Sequence, residues 1–472
     1  MTRLPLWQMT AAELSALTRA GEVSAVEAVS SAIDRMQAAN PALNAVVVDL
    51  SAQAMQRARA LDAQDTRGPL HGVPVTIKIN VDQAGQATSN GLPALRDHVA
   101  PEDAPLVRHL QEAGAVVIGR TNTPEFSFRV DTDNPLFGRT LNPWDPALSA
   151  GGSSGGAGAA VMAGIGALAH GNDIGGSLRW PAYASGAVTV KPGLGRVPAW
   201  NPSQTAERGM LAQAMSVQGL ITRSARDLAL AMPVMIRPDP RDPWHLPLPW
   251  AGPRVEGPLR VGLAAVVPGF DLHPEVVQAL ALARQALEDA GHVVEEIDPP
   301  GIEELSTLGL RALFTELETL SGADIRRLGS DTLRGIFEAY HEAFPLFTPE
   351  DHQRALARRS HHARQWSLLL DRLPLVLTPL APDPMFAAGQ DADPGPVGRR
   401  LIRAGVWANA MNFLGLPAGV VPTHLAPTPG GVQPLGVQIV GRRWREDLVV
   451  QAMQTIEDRL GPMAPRLWAR DP

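Results

Sequence analysis

The chain has 472 residues, 45% hydrophobic and 19% charged, the balance of a globular protein with a sizeable core. Its formal charge of −7 excludes a surface built to neutralise nucleic-acid or anionic-membrane phosphates, and the absence of cysteine excludes disulfides, thiolate metal sites and thiol nucleophiles. The opening "MTRLPLWQMT" lacks the apolar core of a secretory leader, so the cytoplasm is the expected compartment.

Thr10-Ala-Ala-Glu13 and Ser24-Ala-Val-Glu27 match the capping box, in which hydroxyl and carboxylate satisfy orphan N–H groups reciprocally. They predict two helices in the first forty residues, the second stopped by Asn40-Pro41. "NAVVVDL" follows as a strand. "PVTIKIN" alternates, with Val75, Ile77 and Ile79 on one face and Thr76, Lys78 and Asn80 on the other. Taken alone, Lys78 reads as an edge lysine; buried in the same apolar strand it would be a neutral base. A helix, Gly114 and a buried strand over 116–118 come next, and a similar unit recurs over 276–298. Such units point to an α/β protein with helices packed over a sheet.

Residues 149–169 carry no charge and match the ~20 residues of a membrane span, yet Gly, Ala and Ser dominate them. A small-residue helix inside the core is the better reading. Seven of the twenty-two residues over 237–258 are proline, which marks a surface connection or insertion and a candidate subdomain boundary. From 301 to about 400 helical patterns dominate without a chemical motif, and "RALARRSHHAR" reads as a solvated helix face. "NFLGLPAGVVPTHL" and "PLGVQIVG" then read as buried strands and turns.

Two glycine clusters carry the chemistry. "GGSSGGAG", starting at Gly151, lacks the Lys-Ser/Thr ending of a phosphate-binding loop, and no dinucleotide fingerprint occurs. Gly151 to Gly155 satisfies G-x-S-x-G, but "NPWDPALSA" before it is no strand, as a hydrolase elbow would need. In "HGNDIGGSLRWPA", Ser177 behind Gly175-Gly176 suits a nucleophile whose neighbouring N–H groups meet a developing oxyanion. Its base would be a histidine, His170 being nearest in sequence, or a lysine made neutral by burial, for which Lys78 qualifies.

"HGVPVTIKIN", "AGAVVIGRTNTPEFS", "GRTLNPWDP", "GGSSGGAGAA", "HGNDIGGSLRWPAYASG", "VTVKPGLGRV", "GLITRSARDLA" and "PLGVQIVGRRWREDL" stand in an order that resembles the amidase signature family, over about residues 10 to 460. The resemblance implies an α/β fold: one α/β/α domain over 1–472 around a central mixed β-sheet flanked by helices. The catalytic core would fall at about 70–230 and a variable, largely helical insertion at about 300–400. It implies hydrolysis of a linear carboxamide or anilide by a Ser–cis-Ser–Lys triad through an acyl-enzyme, with a small-molecule substrate, no metal or organic cofactor, no nucleic acid and no membrane. A homodimer is an expectation by resemblance only.

By position, Ser177 matches the nucleophile, Ser153 the bridging serine on a cis peptide bond, and Lys78 the base. The N–H groups of Ile174, Gly175, Gly176 and Ser177 match the oxyanion hole, and Ser154, Asp173 and Arg179 match supporting positions. Phe126, Trp180 and Trp200 flank the motifs and are candidates to line an acyl pocket, although core packing is the commoner fate of such aromatics. Two positions depart from the family: Ile79 stands where an Asp usually follows the base, and Ala150 replaces the usual Pro. Either another acceptor orients Lys78 or its ammonium is less supported. The alternatives are a glutaminase-type component of a tRNA-dependent amidotransferase, against which Trp180 weighs, a Ser153 esterase elbow, and a non-catalytic binding or scaffold homologue.

Overall fold

The computed structural model describes residues 4–470, so the first three residues of the segment read for a leader lie outside the described residues. Both capping boxes form, at the starts of helices Ala11–Ala20 and Ala25–Leu43. The second helix continues past the predicted stop, because Pro41 falls in its last turn, where one missing N–H disturbs little. Asn40 accepts instead from the N–H groups of Ala45 and Val46, at 2.9 and 2.8 Å, and turns the chain into the first strand.

The strands in chain order are β1 (Val46–Asp49), β2 (Pro74–Lys78), β3 (Val116–Thr121), β4 (Leu168–Asp173), β5 (Val188–Lys191) and β6 (Val217–Thr222). They continue with β7 (Arg260–Leu263), β8 (Val293–Glu296), β9 (Leu375–Thr378), β10 (Ala418–Thr428) and β11 (Gly431–Gly441). All join one 11-stranded sheet in the order β1-β3-β2-β4-β6-β5-β10-β11-β9-β7-β8. The pairs β2–β3, β2–β4, β7–β8 and β7–β9 are parallel and the others antiparallel, so the sheet is mixed. Helices cover both faces of this single α/β domain. In β9, Leu375 and Leu377 enter one apolar cluster and Val376 the other, as the two-residue period of a strand requires.

Several expectations are corrected. β2 lies between β3 and β4 rather than at an edge, so every residue of it is buried and its alternation separates two interior faces. The largely helical region also contains β9, Leu375–Thr378, too short to show a period. Asn412-Phe413-Leu414 ends a helix, Val406–Leu414, ahead of the strand read there. His362, read as part of a solvated face, is buried, with Trp366 one turn further on the same helix face. Of the uncharged stretch 149–169, only Gly155–Met162 is helical, all of it buried, and the chain then enters β4. Among the described residues no helix is long and apolar enough to cross a membrane.

Candidate active site

Parallel pairing of β2 with β4 brings their carboxyl ends to the same side of the sheet, which places Lys78 beside the turn after Asp173. The helix Gly155–Met162 starts in the same place and adds the positive end of its dipole. Its lead-in packs too tightly for side chains: a Cβ on Gly152 would lie 2.4 Å from the Arg129 carbonyl oxygen. The Gly152–Ser153 peptide bond is cis.

Lys78 is fully buried, and its Nζ has three hydrogen-bond partners. These are Ser153 Oγ at 2.7 Å, Ser154 Oγ at 3.0 Å and Asn172 Oδ1 at 2.9 Å. All three are neutral, and Asp173 acts on Lys78 only as a charge beyond them. Burial therefore dominates and drives the Lys78 pKa well below the ordinary lysine value. His170, the alternative base, is buried and hydrogen-bonded to Gln218 at 3.0 Å; burial pushes its pKa down to about 3.

Ser177 sits in the turn between β4 and the helix Arg179–Ser185, with its backbone carbonyl accepting from Ser154 N–H at 3.2 Å. It is half-buried, as are Asn172, Ile174 and Gly175, while the surrounding motif residues are closed off. Its hydroxyl makes no hydrogen bond with another described residue, so the Ser153–Ser177 contact is unmade in this structure. The N–H groups of Ile174, Gly175 and Ser177 likewise have no acceptor among the described residues. Gly176 differs from its neighbours: its N–H donates to Asp173 Oδ1 at 2.8 Å. Its φ of +110° and the Trp180 ring 2.5 Å from where a Cβ would sit explain the glycine.

Asp173 and Arg179 hold this turn rather than face solvent. Arg179 donates to both carboxylate oxygens at 3.0 Å, and Leu178 N–H adds a bond at 3.1 Å. The remaining guanidinium protons go to Gln438 Oε1 at 2.8 Å, the Ala408 carbonyl at 3.0 Å and Asn412 Oδ1. Residues more than two hundred positions away thus clamp the turn. Arg179 holds the Asp173 pKa down to about 2 against the opposing effect of burial.

The aromatic candidates separate. Trp180 is 5% exposed and packs beneath Gly176. Phe126 is half-buried on a left-handed turn shared with Ser127, at φ 53° and 57°, and its ring packs against an apolar cluster around Phe314 and Phe337. Trp200 lies under Arg241, with the guanidinium 4.6 Å from its ring centre, on the loop whose Asn201 donates to the Asn80 carbonyl.

Sequence reasoning missed Asn172 and Asn80. Asn172 occupies the acceptor role left open by Ile79, and the two amides bond reciprocally at 2.9 and 3.2 Å. Asn80 lies on the polar side of the strand pattern, a signal of position but not of partner. Asn412 and Gln438 gave no local signal at all. Among the described residues no group of three His, Asp or Glu side chains gathers where it could hold a metal ion.

A family model described as Amidase matches residues 27–450. The indoleacetamide hydrolase of Bradyrhizobium diazoefficiens is 46% identical over 469 residues, 98% of this chain and 89% of that protein. One component of the glutamyl-tRNA(Gln) amidotransferase of Moorella thermoacetica is 33% identical over 496 residues, 96% of this chain and 97% of that one. The crystal structure of a bacterial aryl acylamidase of the amidase signature family superposes with a TM-score of 0.84 at 27% identity, covering 99% of this chain and all of that one.

Proposed function

This chain belongs to the amidase family, and we propose that it hydrolyses the primary carboxamide of an arylacetic acid of the indole-3-acetamide type, releasing the acid and ammonia. The observation that carries the substrate class is the 46% identity to an indoleacetamide hydrolase along almost the whole chain. The chemistry rests on buried Lys78, whose pKa is driven well below the ordinary lysine value, against Ser153, with half-buried Ser177 in the adjoining turn.

In this reading Ser177 gives its proton to Ser153, which passes its own to Lys78 Nζ, and Ser177 Oγ bonds to the amide carbon. Substrate closes the Ser153–Ser177 contact, as catalytic hydrogen bonds tighten in the Michaelis complex. The oxyanion lies against the free N–H groups of Ile174, Gly175 and Ser177, each of which is worth about 3–4 kcal/mol of barrier in such a site. Gly176 serves by holding the turn. Collapse breaks the C–N bond, and the Lys78 proton returns through Ser153 to the departing ammonia. Water, deprotonated by the same relay, then cleaves the acyl-enzyme.

The lower identity to the amidotransferase component, 33%, and Trp180 at the start of the helix after the Ser177 turn favour this reading over glutamine hydrolysis. Purified protein is expected to release indole-3-acetic acid and ammonia in equal amounts from indole-3-acetamide, and Ser177→Ala to release neither. Turnover of glutamine alone, or an active Ser177→Ala protein, would reject it.

A further inference from the structure

The Lys78 side-chain nitrogen has three contacts, and their proton directions can be assigned for its neutral form. Asn172 Oδ1 carries only lone pairs, so Nζ donates to it across 2.9 Å. Ser154 Oγ lies 3.4 Å from the Asn172 carbonyl, to which its one proton points, so it accepts the second Nζ proton. The remaining direction at Nζ faces Ser153 Oγ at 2.7 Å, and in a neutral amine that direction holds the lone pair.

Asn172 is itself fixed. Ser127 Oγ reaches Asn90 Oδ1 at 2.7 Å, and with its proton committed there it accepts from Asn80 Nδ2 at 2.8 Å. That orients the Asn80 amide, whose reciprocal bonds with Asn172 leave Oδ1 turned toward Lys78. Ser127 stands on the strained left-handed pair Phe126–Ser127, a conformation kept where the surroundings demand it. A chain of uncharged groups thus runs from a strained turn to the base.

We propose that Asn172, pinned by Asn80, is the positioning residue that aims the Lys78 lone pair at Ser153, and that its uncharged acceptor keeps the base free of any carboxylate contact. The proposal rests on the triad reading above.

The charged and titratable groups around Lys78 are otherwise engaged. Asp173 on β4 is paired with Arg179, and His170 on β4 is bonded to Gln218. Arg120 on β3 donates to the Lys78 and Val81 carbonyls, and Glu125 in the neighbouring segment accepts from Ser330 N–H. A carboxylate placed at 172 would therefore meet Lys78 directly. An opposite charge at that range raises the pKa of a cation by about 1–3 units.

The test follows two readouts against pH: kcat/KM on indole-3-acetamide, and the rate of Ser177 labelling by a fluorophosphonate, which needs the nucleophile and base but no amide. Asn172→Asp is expected to move the acid limb of both profiles up by about one pH unit or more while keeping activity at high pH. Asn172→Leu is expected to lower both rates about tenfold or more at every pH without an upward move of the limb. Asn80→Ala, on a half-buried residue, is expected to lower kcat several-fold with KM unchanged, and it serves if a variant at 172 does not fold. Superimposable Asn172→Asp and wild-type profiles, or wild-type kcat in Asn80→Ala, would overturn the proposal. Absence of Ser177 labelling in the wild type would instead remove the triad reading, and this inference with it.

Discussion

Replacing Arg179 with Met tests how the Ser177 turn is held. The substitution preserves a long apolar stem and removes every guanidinium bond: two to Asp173, one each to Gln438, the Ala408 carbonyl and Asn412. Both partners of the ion pair are fully out of solvent, and breaking such a pair by deleting one charge costs about 3–5 kcal/mol. Folding stabilities are typically about 5–15 kcal/mol, so the loss is large and readable by urea unfolding. The pH dependence adds a sharper signature. Asp173 in the wild type titrates at about 2, below the ordinary 3.8, a difference worth about 2 kcal/mol. That stabilisation is complete above about pH 4 and is lost as pH falls toward 2. Without Arg179 the buried carboxylate is uncompensated, its pKa rises above the unfolded value, and the slope reverses: the variant is expected to be more stable at pH 5 than at pH 7.5. Asp173→Asn added to Arg179→Met should recover part of the loss and flatten the slope. A stability change under about 1 kcal/mol, or a single variant that is less stable at pH 5, would refute the argument.

Three further outcomes are expected. Wild-type kcat/KM rises with pH as Lys78 loses its proton, at a midpoint well below the ordinary lysine value, whereas Lys78→Met labels Ser177 slowly and without that limb; equal labelling rates would discard Lys78 as the base. Gly176→Ala combines a φ of +110° with a Cβ 2.5 Å from the Trp180 ring and should cost about 2–4 kcal/mol by thermal unfolding, together with most of kcat. Asp227 is buried with Oδ2 unpartnered, and its pKa is raised to about 7. Stability is therefore lost from about pH 4, where the unfolded carboxyl ionises, up to about pH 7, and Asp227→Asn, which keeps the Oδ1 bond to Ala12 N–H, should gain on wild type progressively over that range, with its largest melting advantage at pH 8 and its smallest at pH 4.

The groups proposed for amide cleavage could be picked out because they lie in short runs: Ser153 and Ser154 in one, Asp173 to Arg179 in another, Lys78 in a third. The capping boxes and the long strands at 418–441 were legible for the same reason, since caps and alternation are local. What escaped depended on distant partners. Lys78 looks like an edge lysine until β3 and β4 close around β2. Asn172 looks like a loop asparagine until Lys78 and Asn80 arrive from the neighbouring strand. β9 has too few residues to display a period, and Pro41 breaks its helix only if it falls before the last turn. Gly176 illustrates a finer limit: the motif indicates glycine, but only the Asp173 contact shows that this N–H is occupied while those on either side are free.

The clamp on the Ser177 turn also has a consequence for the order in which the protein is made. Ser177 leaves the ribosome long before Asn412 and Gln438, which hold Arg179 in place from opposite sides. β5 likewise waits for β10, its neighbour in the sheet, which begins at Ala418. At the usual ~5–20 residues per second, a nascent chain spends roughly ten seconds or more carrying the complete serine motif without the distant partners of Arg179. The contacts that clamp the Ser177 turn are complete only with the last seventh of the chain, so on the proposed reading a fragment cut after the glycine clusters would hold Lys78, Ser153 and Ser177 without that clamp.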